Sequence, residues 1–166
     1  MKLSKMVGVG LLFSARMAFG LESDSEQPIY IDSDNAVYDE KAQISTYTGN
    51  VVATQGTIRI DGDKLVVYLK DGAIIKLIAT GKPSRFKQLP AVGKEEMHGE
   101  GLTNEFYPDQ NLLKFMKNAS VWQGDAKQSS DYIEYDTKNS LLKAGEAQSD
   151  GKRVHSVIKP KPKQAQ

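Results

Sequence analysis

Apolar and polar residues alternate along the chain from Ile29 onward, in short runs that turn residues separate. In Ile29-Tyr30-Ile31-Asp32 the two isoleucines share one face of an extended chain, and the same period of two recurs around Ile58 and Ile60. These runs are rich in Val, Ile, Tyr and Thr, which pack well on a pleated surface. Strict alternation predicts half-buried β-strands. No segment has the long helical period with caps that would predict an α-helix of ordinary length.

Turn-forming residues divide these runs at intervals of roughly six to twelve residues, which is typical of an all-β domain. The strongest hairpin signal is Asp71-Gly72, because a two-residue turn of type I′ needs positive φ at both central positions. The rhythm alone leaves an antiparallel sandwich, a jellyroll and a barrel open. The turn signals are Asp34-Asn35, Gly49-Asn50, Gln55-Gly56, Asp61-Gly62, Asp71-Gly72, Gly81-Lys82-Pro83, Pro108-Asp109, Gln123-Gly124, Asp136 to Asn139 and Asp150-Gly151.

A weak internal repeat divides the strand region into two series. The step from Asn50 to Gly56 in the first series equals the step from Asn118 to Gly124 in the second, and β-rich segments follow both. The repeat predicts that the two halves contain the same supersecondary unit. Chance similarity of turn residues is the alternative.

The first twenty residues have the features of an export signal. Lys2 and Lys5 form a basic start, Met6 to Phe13 is apolar or small, and Ala18-Phe19-Gly20 places small residues where a signal peptidase cuts. We predict cleavage after Gly20. An uncleaved membrane anchor is the alternative, but the apolar run is well short of the ~20 residues that a spanning helix needs.

The rest of the chain is predicted to form one domain with short flanking segments. Residues 21–28 form an N-terminal lead-in, residues 29–158 the β-domain, and residues 159–166 a disordered tail of alternating Lys and Pro, since Pro has no backbone N–H for a sheet. The chain is 39% hydrophobic, which suffices for a single core.

Charge and composition exclude several classes of function. The net charge of +1 lacks the basic excess of a nucleic-acid-binding protein. The absence of Cys excludes disulfides, thiolate metal sites and Cys nucleophiles. His98 and His155 fit no metal-binding spacing, and the phosphate-binding loop of nucleotide hydrolases is missing. Asx turns explain Asp32 to Asn35 and Asp61 to Asp63 more simply than calcium binding does. The sequence therefore predicts no catalytic residue, metal site or cofactor.

An apolar interior remains as the main chemical feature. A packed core and an open interior that admits acyl chains would give the same pattern, so alternation alone does not choose between them. The predicted inward residues are Ile29, Ile31, Tyr38, Ile44, Ile58, Ile60, Leu65, Val67, Ile75, Leu77, Phe86, Phe106, Leu113, Phe115, Val121, Ile133 and Leu142.

Three segments resemble the OstA-like family. They are Gln27 to Asp34, Tyr47 to Ile60 with its Thr-Gly-Asn-Val and Gln-Gly pairs, and Asp63-Lys64-Leu65-Val66-Val67. Gly81-Lys82-Pro83 and Gly151-Lys152-Arg153-Val154 extend the similarity, which covers about residues 27–158. Within this family the chain is most similar to the periplasmic bridge proteins of lipopolysaccharide transport.

The resemblance implies a single twisted, slightly open antiparallel β-jellyroll of about sixteen strands that holds lipopolysaccharide acyl chains in its groove. It implies three protein partners: an upstream inner-membrane partner of the same fold, a downstream outer-membrane translocon, and further copies of the chain, joined head to tail. Ile29 and Ile31 match family positions on the first strand, near the end that receives lipid. We therefore expect a periplasmic lipid carrier and not an enzyme.

Three other interpretations stay open at this point. A structural or adhesive β-module would have a filled core and no lipid cargo. A carbohydrate-active enzyme on a jellyroll would need two carboxylates facing one cleft. A membrane-anchored relative of the same fold would keep its N-terminal apolar segment as an anchor.

Overall fold

A computed structural model of the protein describes residues 24–145 and 153–158. The predicted export signal and the predicted Lys/Pro tail lie outside the described residues, as does the Asp150-Gly151 turn signal. Within the described ranges no helix has the length and apolarity that crossing a membrane would require.

Ten β-strands account for most of the described chain, and the six central strands have 11 to 16 residues each. Two single-turn 3₁₀ helices, Asp24–Glu26 and Pro108–Gln110, accompany them. The strands are β1 (Ile29–Asp32), β2 (Asn35–Asp39), β3 (Ile44–Gln55), β4 (Ile58–Lys70), β5 (Ala73–Gln88), β6 (Met97–Tyr107), β7 (Leu112–Gln123), β8 (Ala126–Asp136), β9 (Leu141–Ala144) and β10 (His155–Val157).

All ten strands belong to one antiparallel sheet in which β3 to β8 follow each other as a meander. Each side of the meander ends in two short strands. β1 and β2 both pair with β3, and β9 and β10 both pair with β8. The sheet is therefore open, with short edge strands at both sides.

A line of β-bulges crosses the middle of the sheet. Each of the five strand pairs from β3–β4 to β7–β8 has a register shift there. A bulge bends its strand and increases the local twist, so a contiguous line of bulges folds the sheet across its width. The shifts lie between Thr48 and Val51, Asp61 and Lys64, Thr80 and Ser84, Glu100 and Thr103, and Met116 and Ala119.

This bulge line corrects three of the predicted turns. Gly49-Asn50, Asp61-Gly62 and Gly81-Lys82-Pro83 lie inside β3, β4 and β5, because the residues that suit a turn here bend a continuous strand. The described chain accordingly has ten strands, and the expected number of about sixteen is not confirmed. Asp71-Gly72 does form the predicted hairpin turn, with φ of 52° and 80°.

The bend brings distant parts of one strand together. Ile74 and Gln88 lie near opposite ends of β5, and a straight strand would hold them about 45 Å apart. They nevertheless line the same cleft. The sheet therefore folds over on itself, which confirms the predicted open antiparallel jellyroll.

The core lies between the two folded halves of the sheet. Phe115 is fully buried at its centre, and its ring meets the ring of Phe86 edge to face with the centroids 6.1 Å apart. Phe115 also occupies the space next to Gly99, where any Cβ would overlap its ring. Glycine at position 99 thus lets an aromatic side chain from β7 lie directly on the backbone of β6.

Candidate functional site

The inner face of the jellyroll is apolar from one strand to the next. Ten of the seventeen residues predicted to face inward are buried, and they lie on β4, β5, β7 and β8. They form one continuous cluster with Val51 and Ala53 of β3. The ten residues are Ile58, Ile60, Leu65, Val67, Leu77, Phe86, Leu113, Phe115, Val121 and Ile133.

Four further predicted residues lie at the rim of this cluster. Ile31, Phe106 and Leu142 are partly buried and pack against it. Ile29 is half-buried and lines the cleft at the β1 edge together with Gln55 and other neighbours. Both isoleucines of β1 are thus at the open edge of the interior.

Two predicted inward residues point elsewhere. Ile44 pairs with Tyr68, while the next residue, Ser45, pairs with the buried Val67, so Ile44 lies on the outer face. Ile75 is 40% exposed. A bulge pairs Tyr68 with Lys76 and Leu69 with Ile74, which leaves Ile75 as the extra residue and turns Ile74 inward in its place.

Tyr38 is on the predicted face but is not covered. It pairs with Ser45, whose other partner is the buried Val67, so the register puts it on the inner face. Its side chain is nevertheless 60% exposed because β2 is an edge strand with a neighbour on only one side. The inner face therefore extends beyond the closed core as an uncovered apolar margin.

Two clefts open between the folded halves on either side of Pro90. The larger, of about 1390 Å³ including the space open to solvent, lies at the β1 side and involves Ile29, Phe106 and Pro108. Further inward lie two small apolar spaces with cavity volumes of only about 20 and 10 Å³, both lined by Ile60 and Phe106. The second cleft, of about 1010 Å³, lies against β7 to β9. The interior can therefore be reached from both sides.

The interior also contains one polar group that alternation did not predict. Asn104 of β6 is buried, and its Nδ2 donates to the backbone oxygen of Ser84 at 2.9 Å and to the Ser84 Oγ at 3.1 Å. Ser84 Oγ in turn donates to the backbone oxygen of Asp61 at 3.0 Å. A polar residue in a strand is normally assigned to the solvent face, so only the bulge in β6 explains its inward position.

The lead-in segment is fastened across the mouth of the larger cleft by Asp24. Its carboxylate accepts hydrogen bonds from the Thr57 backbone N–H at 2.7 Å, from Thr57 Oγ1 at 2.9 Å and from Gln88 Nε2 at 2.9 Å. Gln55 Nε2 adds a bond to the backbone oxygen of Gln27 at 3.0 Å. These contacts fix the direction in which the chain enters β1, and with it the position of Ile29.

We expect Asp24→Ala to release this segment. Loss of hydrogen bonds to a charged acceptor should lower the free energy of unfolding by about 1–2 kcal/mol and raise the hydrogen-exchange rate of the Thr57 amide. Glu26→Ala is the matched control, since Glu26 lies exposed in the same 3₁₀ turn. Equal exchange rates at Thr57 in the two variants would show that Asp24 does not hold the segment.

The outer face carries several polar side chains that form hydrogen bonds or ion pairs with one another. Lys114 lies 3.5 Å from the carboxylate of Glu134. The Tyr107 hydroxyl donates to Glu105 at 2.6 Å, and this hydrogen bond, followed by partial burial, raises the pKa of Tyr107 to about 12. The pKa of Asp136 is lowered by hydrogen bonds from Asn139. Each of these polar groups thus has a partner on the outer face.

Metal-binding geometry is missing from the region that the structure describes. No three His, Cys, Asp or Glu side chains within residues 24–145 and 153–158 come together as ligands. His98 stacks on Trp122 at 5.2 Å between centroids, and its Nε2 lies 3.6 Å from Glu96. This histidine is therefore engaged in a surface cluster.

Comparison with known proteins agrees with this geometry. The family described as LptA/(LptD N-terminal domain) LPS transport protein matches residues 30–140. The lipopolysaccharide export system protein LptH of Pseudomonas aeruginosa is 33% identical over 162 residues, with 94% of this chain and 93% of that protein covered. LptA of Escherichia coli K12 is 35% identical over 163 residues, with 96% and 86% covered.

A solved structure shows the same architecture. The crystal structure of LptH, described as the LptA-homologous periplasmic component of the lipopolysaccharide transport device of Pseudomonas aeruginosa, superposes with a TM-score of 0.79 at 31% identity. The match covers 84% of this chain and all of that one. LptA of Haemophilus influenzae is 37% identical, with 94% of both chains covered. The chain thus belongs to the family of LptA and LptD N-terminal-domain lipopolysaccharide transport proteins.

Proposed function

We propose that this protein is a periplasmic bridge that binds lipopolysaccharide and passes it from the inner-membrane transport complex to the outer-membrane translocon. The observation that carries the proposal is the continuous apolar inner face of an open jellyroll, reached through clefts on both sides. Acyl chains lie in this groove, and the sugars stay outside. The relatives support this, since they are named lipopolysaccharide export system proteins.

The energetics favour such a groove. Moving an acyl chain from apolar surroundings into water costs about 0.8 kcal/mol for each CH₂, so a lipid with several long chains does not cross an aqueous space unaided at a useful rate. An apolar face that runs along the whole protein removes most of this cost without any chemical step. The proposed role therefore requires no catalytic residue, and the energy for transport comes from upstream.

The groove is proposed to open by separation of the two folded halves. The spaces inside the described structure, about 20 and 10 Å³, have room for little more than a water molecule. The halves are joined at the bulge line, while each edge pair lies within one half, β1 and β10 in one and β2 and β9 in the other, so separation of the halves breaks no strand pair. We infer that lipid enters at the β1 side, where Ile29 and Ile31 line the margin of the interior and the cleft is largest.

The edges are proposed to be the docking surfaces for the upstream partner, the downstream translocon and further copies. Val37 of β2 and Ile158 beyond β10 are strongly exposed apolar residues at opposite edges of the sheet. An extended edge can pair with a strand of another molecule. Pairing of the C-terminal edge with an N-terminal edge does not close on itself, so it extends the groove from one copy to the next.

The mature protein is proposed to begin after Gly20, with the lead-in from residue 21 and the jellyroll domain over residues 29–158. The similarity to LptH, which is described as a periplasmic component, supports export of the chain.

We expect self-association that depends on concentration. Sedimentation velocity should show a sedimentation coefficient that rises with protein concentration, and Ile158→Lys should reduce the rise, since a charge directly after the edge strand β10 opposes pairing at that edge. Val92→Lys is the control, because Val92 is 76% exposed in the loop between β5 and β6, away from both edges. A wild-type protein that stays monomeric at every concentration would contradict head-to-tail assembly.

Site-specific photo-cross-linking in intact cells tests the proposed function. A photoreactive residue at position 31 should give lipopolysaccharide adducts, because Ile31 packs against the inner cluster. The same residue at position 32 should give none, since Asp32 is exposed and points to the other face. Adducts at neither position in a folded, exported protein would favour a secreted β-module without lipid cargo.

A further inference from the structure

The two edges of the sheet run in opposite directions, so one copy of the protein can continue the sheet of another. The N-terminal edge consists of β1 and β2, and the C-terminal edge consists of β9 and β10. In the described chain eight strands cross each folded half, namely the six central strands and one short strand of each edge. Because every pair is antiparallel, an even number of strands leaves the two outer strands of a half antiparallel to each other. A C-terminal edge therefore meets an N-terminal edge as one more antiparallel pair.

Uninterrupted rows of paired residues connect the two edges. One row crosses the six central strands from Tyr30 on β1 to Val157 on β10, and another runs from Tyr38 on β2 to Leu142 on β9. Hydrogen-bonded and non-hydrogen-bonded pairs alternate along such a row, so the even number of strands also preserves the alternation at a junction. In that register Val157 of one copy faces Tyr30 of the next, and Leu142 covers the exposed side chain of Tyr38.

The charges on the two edges have opposite signs. On the N-terminal edge, residues 29–39, every side chain that is charged at neutral pH is acidic and exposed: Asp32, Asp34 and Asp39. On the described part of the C-terminal edge, residues 141–144 and 153–158, the charged side chains are Lys143 and Arg153, and both are exposed. The edges are thus complementary in charge as well as in strand direction.

The register brings these opposite charges near each other on the outer face. The row that begins at Asp32 ends on β10 two residues after Arg153, so Arg153 of one copy is diagonal to Asp32 of the next. The row that begins on β2 two residues before Asp39 ends at Lys143, so these two side chains are diagonal in the other half. Long side chains reach across such a diagonal.

We propose that these charges select which edges meet, so that the acidic N-terminal edge of one copy accepts only the basic C-terminal edge of a second copy. This inference rests on the proposed head-to-tail assembly and adds what fixes its polarity. Two N-terminal edges bring acid against acid, and two C-terminal edges bring base against base. Each exposed ion pair contributes little by itself, so backbone pairing and apolar contacts such as Ile158 with Ile29 supply the adhesion, and the charges select the partner edge.

Disulfide trapping on the full mature protein tests the polarity and the register. The chain has no native Cys, and directly opposed residues of antiparallel strands lie within the range of a disulfide. An oxidised mixture of Tyr30→Cys and Val157→Cys proteins should give a covalent dimer, whereas each protein alone should stay monomeric. Ile31→Cys in place of Tyr30→Cys is the control, because its side chain points to the other face. Covalent dimers of either single protein would show that like edges meet and would overturn the proposal.

Charge reversal tests the selecting residues. Lys143→Glu with Arg153→Glu makes the C-terminal edge acidic, and Asp32→Lys with Asp39→Lys makes the N-terminal edge basic. Each double variant should self-associate about tenfold more weakly than the wild type in sedimentation velocity, because like charges then oppose each other across the junction. A mixture of the two double variants should associate as the wild type does, since opposite charges meet again.

A matched control and a salt series complete the test. Lys82→Glu with Arg85→Glu changes the net charge by the same amount on exposed positions of the central strand β5 and should leave association unchanged. Salt at about 1 M shortens the Debye length to about 3 Å, so association of the unsubstituted protein should weaken without depending on the folding of any variant.

The outcomes separate this inference from the function on which it rests. If the wild type assembles equally well at all salt concentrations and the charge-reversed variants assemble as it does, the charge selection is wrong and head-to-tail assembly stands. If the mixed variants fold but do not regain association, these edges do not pair through the named residues. If the wild type stays monomeric under every condition, the assembly in the proposed function is itself wrong.

Discussion

Phe115→Ala is expected to lower the free energy of unfolding by about 3–5 kcal/mol, the usual range for removing a large buried aromatic side chain. Phe115 is fully buried, and its ring packs edge to face on Phe86 from a neighbouring part of the bent sheet. Alanine would leave a cavity between the two halves, and the long strands on either side cannot collapse into it without breaking their register. Chemical denaturation monitored by circular dichroism measures the change.

Leu102→Ala is the matched control for this prediction. Leu102 lies on β6, in the same region of the sheet, but is 38% exposed. Its truncation should cost less than about 1 kcal/mol, as is usual for surface positions. Similar losses in the two variants would mean that the halves are not held together by the Phe115 contact.

Gly99 provides a second test of the same contact. A Cβ at position 99 would overlap the ring of Phe115, so Gly99→Ala should also destabilise the protein. In the double variant with Phe115→Ala the overlap no longer exists. The two losses should therefore be clearly less than additive, which is the behaviour of residues in direct contact. Simple additivity would contradict the packing described here.

The alternation of residues predicted the fold class and most of the core, because period two is a direct consequence of strand geometry. Ile58 with Ile60 and Leu65 with Val67 each lie on the inner face as their spacing indicates. The inward residues of the first pair have even numbers, however, and those of the second pair have odd numbers. The change occurs because a bulge between Asp61 and Lys64 shifts the register of β4. The position of such a shift depends on the neighbouring strand and is not visible in one segment.

The predicted turn at Gly49-Asn50 was wrong for a related reason. Gly49 and Asn50 have positive φ values, 82° and 47°, and so do Asp71 and Gly72. Both pairs therefore adopt positive φ, which was predicted at Asp71-Gly72, while at Gly49-Asn50 only a turn was predicted. Only the pairing of β3 with β4 on both sides of Gly49-Asn50 decides that one pair forms a bulge and the other a hairpin turn.

Asn104 shows the limit of the same reasoning for the site. Sequence rules place a strand asparagine on the solvent face, and the interior was accordingly predicted from apolar residues alone. Asn104 follows the bulge between Glu100 and Thr103 and pairs with the buried Ala79 and Phe115. A polar residue at such a position could be recognised only after the register of three strands was known.

Ile31→Asp is expected to reduce lipopolysaccharide binding by tenfold or more while leaving the fold intact. Ile31 pairs with the buried Ala53 at the edge where lipid is proposed to enter. A carboxylate there must lose water when an acyl chain covers it, which costs about 2 kcal/mol or more. In the free protein the side chain is only half-buried and packs against the edge of the core, so the charge stays partly hydrated and the loss of stability should be about 1–2 kcal/mol.

Tyr30→Asp is the matched control, because it adds the same charge to β1 on the face that points away from the groove. Tyr30 is the preceding residue of β1, pairs with Thr54 and is 65% exposed on the opposite face. Both variants alter the edge strand and add one negative charge, so only the face differs. Binding is measured by displacement of a fluorescent lipid probe by lipopolysaccharide, and thermal unfolding checks the fold. If the two variants bound lipopolysaccharide equally well, the cargo would have to lie outside the groove, and the apolar inner face would be a core that merely closes the jellyroll.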